Sequence, residues 1–120
     1  MNSKKVIVAL DSKDLNKTIK LVKTLKNEVY AFKIGYEFFF SFGLIGYKKI
    51  YKICPNIFLD LKLHDIPNTV KNGLDALNKI KPILTTIHIS GGDEMMKSSI
   101  KDKKFTKILG VSILTSMDTK

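Results

Sequence analysis

Five runs of strand length recur along this chain, and the first four are each followed by a stretch of helical character, at intervals of roughly 25 residues. Strands that alternate with helices at this spacing are joined by right-handed crossovers, so the chain is expected to form a parallel sheet covered by helices. The first run, Lys5 to Asp11, is β-branched and continuous, the pattern of a parallel strand buried on both faces. Asp14 to Asn27 then spaces Leu15, Ile19, Val22 and Leu25 three and four apart behind Ser12 or Asp14 as N-cap, an amphipathic helix.

The pattern repeats. "AFKIG" (31–35) reads as a second strand, and "EFFFSFGLIGYKKIYKIC" reads as helical pieces broken near Gly43 and ended before Pro55. "NIFLDLK" is a third strand, Asn68 is expected to cap a helix to about Ile80, and "PILTTIHIS" is a fourth strand running into Gly91 and Gly92. "DEMMKSSI" predicts a short helix and "FTKILGVSILTS" a fifth strand. A doubly wound sheet accepts five strands, whereas a (β/α)8 barrel takes eight strands and about 250 residues. No G-x-G-x-x-G turn follows the first strand, so dinucleotide binding has no support.

With 120 residues the chain is expected to be a single domain, residues 1–120. Hydrophobic residues at 44% and charged residues at 27% are globular values, and no apolar run reaches membrane-spanning length. "MNSKKVIVALD" carries no secretory pattern, so a cytoplasmic location is expected. The net charge of +10 comes from 21 lysines and no arginine. Lys13, Lys17, Lys20, Lys23 and Lys26 lie opposite the apolar side of the first helix, and Lys101, Lys103 and Lys104 cluster in a polar loop. That distribution is a solvated face; a nucleic-acid partner would call for arginine and clustered aromatics. Cys54 is read as a buried structural thiol, and Phe38 to Phe40 as core.

The stretch "FLDLKLHDIPNTV" (58–70) is harder to reconcile with a plain strand. Charges inside a buried strand cost several kcal/mol unless they are paired, yet alternation puts Asp60 and Lys62 on the same face of this strand, near its C-terminal end. Asp11 ends the first strand and Lys33 lies in the second, so three strand ends deliver Asp, Lys, Asp and Lys, with Asp65 just beyond. The C-terminal ends of parallel strands are where α/β folds bind ligands. A self-satisfying ion network is the structural reading of any one of these residues; together they point to a site. An alternating carboxylate and ammonium array suits a decarboxylation: a fixed aspartate repels a substrate carboxylate by about 4 kcal/mol at 4 Å and an effective dielectric of 20. A neighbouring lysine stabilises the carbanion and protonates it, with no metal needed.

"VIVALD", "FKIGYEFFFSFG", "FLDLKLHDIPNTV", "IHISGG" and "GVSILTSM" occur in an order and spacing that resembles the orotidine 5'-phosphate decarboxylases of bacteria over nearly the whole chain. The resemblance implies a (β/α)8 barrel that acts on orotidine 5'-phosphate (OMP) in pyrimidine biosynthesis as a homodimer, without metal or cofactor. It places Asp11 and Lys33 on the ribose hydroxyls, Asp60 beside the substrate carboxylate and Lys62 as the proton donor to C6. It sends Asp65, Thr69 and Ile66 toward the second copy's site, in a loop completed by His64, Pro67 and Asn68, and sets Thr115 or Ser116 against the pyrimidine. His88 is given a structural role. The related sugar-phosphate decarboxylases share D-x-K-x-x-D but use magnesium and have a glutamate where this chain has Lys33, which ranks them second.

Five strands make an incomplete barrel, and the phosphate site of such barrels usually follows strands seven and eight. The arginine that the resemblance implies there has no counterpart among these 120 residues. The first and fifth strands are expected to leave open, apolar edges. Three expectations follow: a decarboxylase whose strands six to eight come from another chain, an inactive remnant, or a nucleotide-binding module built on Asp11, Lys33 and the third-strand loop.

Overall fold

The computed structural model describes residues 4–101 and 105–116. Lys103, Lys104 and Met117 lie outside the described residues. The chain is α/β: five strands alternate with helices, and every strand pairing described is parallel. It divides into two compact units, residues 1–60 and 61–120.

In the first unit, β1 (Ile7–Ala9) pairs with β2 (Ala31–Ile34), and β2 pairs with the start of β3 (Ile57–Leu63). α1 (Leu15–Leu25) follows β1, begun by Asp14, whose carboxylate accepts the Lys17 N–H at 3.1 Å. Its lysines face solvent, as their spacing predicts, while Val22 is fully buried. β1 departs from expectation: it is three residues long, and Val6 and Ile7 are 58% and 38% exposed. Among the described residues its ladder runs to β2 alone.

α2 (Tyr36–Ile53) is interrupted where the sequence indicated, at Gly43 with φ 60°, and ends at Cys54, which is buried. Its aromatic run is only partly core. Phe38 is fully buried and packs edge-on against Phe42, whereas Phe40 is 78% exposed and stacks on Tyr36. Two residues along a helix turn the side chain about 200° away, so consecutive phenylalanines cannot all face inward. Burial, helped by neighbouring Tyr51, pushes the Tyr47 phenol well above its usual range, so it stays protonated as a core residue.

Gly46 yields a prediction opposed to helix propensity. A methyl there would lie 2.4 Å from Cβ of Phe42, an atom tied to the backbone. Gly46→Ala should destabilise the chain by about 1–2 kcal/mol despite alanine's better propensity, read as a lower urea midpoint. An unchanged or raised midpoint would contradict this packing.

In the second unit, the rest of β3 leads to α3 (Pro67–Leu77), followed by a short 3-10 turn (Asn78–Ile80), β4 (Leu84–His88), α4 (Asp93–Ile100) and β5 (Lys107–Val111). Val70, Leu74, Ile87 and Met95 form its core, with Leu63 and Ile108 packed against them. Asn68 does not cap α3: the cap position is Ile66, and Pro67 takes the first turn, where its fixed φ and missing N–H are no handicap. The helix gives way to the 3-10 turn after Leu77, and Lys81 closes it at φ 52°. β5 is shorter than its apolar run and pairs with β4, leaving Leu109 44% exposed. No helix among the described residues is long and apolar enough to cross a membrane.

Candidate functional site

The first unit brings two of the expected residues together. Lys33 sits in β2 between buried Phe32 and Ile34, and the β2 to β3 register sets Lys33 opposite Phe58, two residues before Asp60. The Lys33 Nζ lies 3.7 Å from Asp60 Oδ2, with the side chains 30% and 8% exposed. A carboxylate this buried is held charged only at the cost of desolvation, which a nearby ammonium offsets. At 3.7 Å the contact is an ion pair rather than a short hydrogen bond, and the lysine keeps access to solvent. Asp11 lies just past β1, exposed, and lines a hollow of about 220 Å³ with Ser12, Lys17 and Thr18.

The second unit holds the rest. Lys62 is partly exposed, and its backbone is left-handed at φ 49° inside β3. Strict alternation requires extended backbone, so the expectation that Lys62 follows Asp60 on one regular face does not carry through this residue. The Lys62 N–H donates to the Thr86 Oγ1 of β4 at 2.9 Å. Thr86 was not among the sequence candidates; its only signal was a polar pair, Thr85 and Thr86, inside an apolar strand, both of them buried here.

Beyond β3, His64, Asp65 and Ile66 form an exposed loop in which the Asp65 carboxylate accepts the Ile66 N–H at 2.7 Å. Ile66 is 68% exposed, an unusual place for a large apolar side chain, and Thr69 is exposed in the first turn of α3. The imidazoles of His64 and His88 lie 5.3 Å apart at 44°, a proximity the sequence did not reveal. Thr115 and Ser116 occupy an exposed turn after β5. Among the described residues, no group of three or more His, Cys, Asp or Glu side chains is placed to hold a metal ion.

Comparisons with known proteins agree with one another. The family model described as "Orotidine 5'-phosphate decarboxylase / HUMPS family" matches residues 4–120. An orotidine 5'-phosphate decarboxylase of Wolbachia sp. subsp. Brugia malayi is 46% identical over 115 residues, 93% of this chain and 51% of that protein. The solved orotidine 5'-phosphate decarboxylase of Lactobacillus acidophilus superposes with a TM-score of 0.82 at 38% identity, covering 97% of this chain and 56% of that one. An orotidine 5'-monophosphate decarboxylase of Methanocaldococcus jannaschii, complexed with the inhibitor BMP, gives a TM-score of 0.78 at 26% identity, covering 91% of this chain and 52% of that one. The chain thus spans about half the length of the curated relatives it matches.

Proposed function

The chain belongs to the orotidine 5'-phosphate decarboxylase / HUMPS family, and on that premise we propose that its residues carry the decarboxylation of OMP to UMP and carbon dioxide. The observation that carries this reading is the buried Asp60 carboxylate with Lys33 beside it, on the strand that also bears Lys62. The reaction breaks the bond between C6 and the carboxylate carbon. The electron pair stays on C6, carbon dioxide leaves, and C6 takes a proton.

In this reading Asp60 stands beside the substrate carboxylate and raises its energy, an effect relieved as charge moves from the carboxylate to C6. The Lys62 ammonium stabilises the developing carbanion and delivers the proton. Lys33 pairs with Asp60 and, with Asp11, takes the ribose hydroxyls; Thr115 or Ser116 lies against the pyrimidine. The exposed Asp65, Ile66 and Thr69 reach the site of a second copy, which accounts for a large apolar side chain at a loop tip. The working form is thus a cytoplasmic homodimer in which residues 1–120 make up the N-terminal part of one barrel domain, with strands six to eight supplied in addition. Lys33, where the sugar-phosphate decarboxylases have a glutamate, disfavours that second chemistry.

The test is UMP formation from OMP by the purified chain, alone and mixed with the C-terminal half of the Wolbachia relative. One UMP and one carbon dioxide per OMP consumed is the expected result in at least the mixture. OMP left intact in both would overturn the decarboxylase reading; protection by UMP against thermal unfolding would then leave a nucleotide-binding module.

A further inference from the structure

We propose that Thr86 is a positioning residue for Lys62, its hydroxyl holding the lysine backbone in a left-handed conformation and thereby aiming the ammonium. The inference deepens the reading of Lys62 as proton donor and rests on it. Lysine is not a residue that adopts φ 49° readily, because its Cβ crowds the neighbouring carbonyl there; glycine, asparagine and aspartate are the usual occupants. Among the described residues the other non-glycine with positive φ is Lys81, and it closes a 3-10 turn, where such a conformation is ordinary. Lys62 instead adopts it inside a strand.

A left-handed residue turns its N–H out of the regular ladder, and that N–H needs an acceptor. Thr86 Oγ1 is that acceptor, at 2.9 Å. The acceptor is itself fixed. Thr86 is 4% exposed, its backbone is in register with Leu109 of β5, and a β-branched side chain has few rotamers to move through. The hydroxyl thus gives the lysine a rigid reference point. Backbone strain of this kind persists where the surroundings over-determine it, and sites of chemistry are where it collects.

Valine has the shape of threonine without the acceptor, and serine keeps the acceptor. In Thr86→Val, Lys62 is expected to relax toward extended φ, which redirects its side chain. Misplacing a reacting group by about 1 Å costs about a hundredfold in rate, so kcat should fall by that order with KM little changed. Thr86→Ser should keep most of the rate. In a Lys62→Ala background, Thr86→Val should cost nothing further, since the group it positions is gone.

Full kcat in Thr86→Val, or equal losses for valine and serine, would overturn the proposal. If the unsubstituted chain, with its C-terminal complement, turns over no OMP, the decarboxylase reading fails. The crystal structure of Thr86→Val then decides the positioning claim by itself: extended φ at Lys62 supports it, and a retained left-handed φ overturns it.

Discussion

Lys62→Ala is expected to lower OMP turnover by about 10³-fold or more, the largest effect of any single substitution in this account. In the role proposed for Lys62, the change removes a general acid, which contributes about 10²–10⁴-fold, and also the cation facing the developing carbanion. The two roles separate in Lys62→Arg, which keeps the charge but holds its proton too tightly to give it up, so it should recover little of the rate. Lys62 is partly exposed and its backbone sits in a conformation no L-residue prefers, so folding should survive the substitution. Steady-state rates beside thermal unfolding curves check both statements. Turnover close to normal in Lys62→Ala would remove this residue from the chemistry.

Asp60→Asn is the second large effect, and its sign is more informative than its size. A charged Asp60 opposes a second carboxylate by up to about 4 kcal/mol at 4 Å and an effective dielectric of 20, and Lys33 at 3.7 Å offsets part of that. Replacing the charge with an amide should let OMP bind more tightly while the barrier rises. The expected result is a lower KM together with a kcat reduced by about 10²-fold, the pattern of lost ground-state strain. UMP has no carboxylate on C6, so its affinity should stay close to that of the unsubstituted chain. A raised KM for OMP with unchanged kcat would mean that Asp60 only helps hold the substrate.

The βα repeat was legible because its signals are local: continuous β-branched runs, apolar residues three and four apart, and Gly43 as a helix interruption. α4 falls on the predicted eight residues. The structure departs from the sequence pattern where neighbours decide. β1 and β5 shrank because an apolar run says that a strand forms, not how far a partner strand continues beside it. Asn68 and Pro67 competed for the start of α3, and the fixed φ of proline prevailed over the side-chain cap. Phe40 reads as core by composition and is exposed by helical phase.

The site divided in the same way. Asp60 and Lys33 could be picked out because charge in a buried strand demands a partner, and they are partnered with each other. The left-handed backbone at Lys62 was not legible, since no local rule places a lysine at φ 49° within a strand. Thr86, the acceptor that accompanies it, is 24 residues away in sequence, and only the pairing of strands brings the two together.

A crystal structure grown with UMP would show which groups face C6, the carbon that loses carbon dioxide in the proposed reaction. Pyrimidine C6 is expected within hydrogen-bonding reach of the Lys62 ammonium, about 3 Å, with the ribose hydroxyls on Lys33 and Asp11. A nucleotide whose phosphate or ribose occupies the place beside Lys62, or one bound away from the ends of β2 and β3, would contradict it.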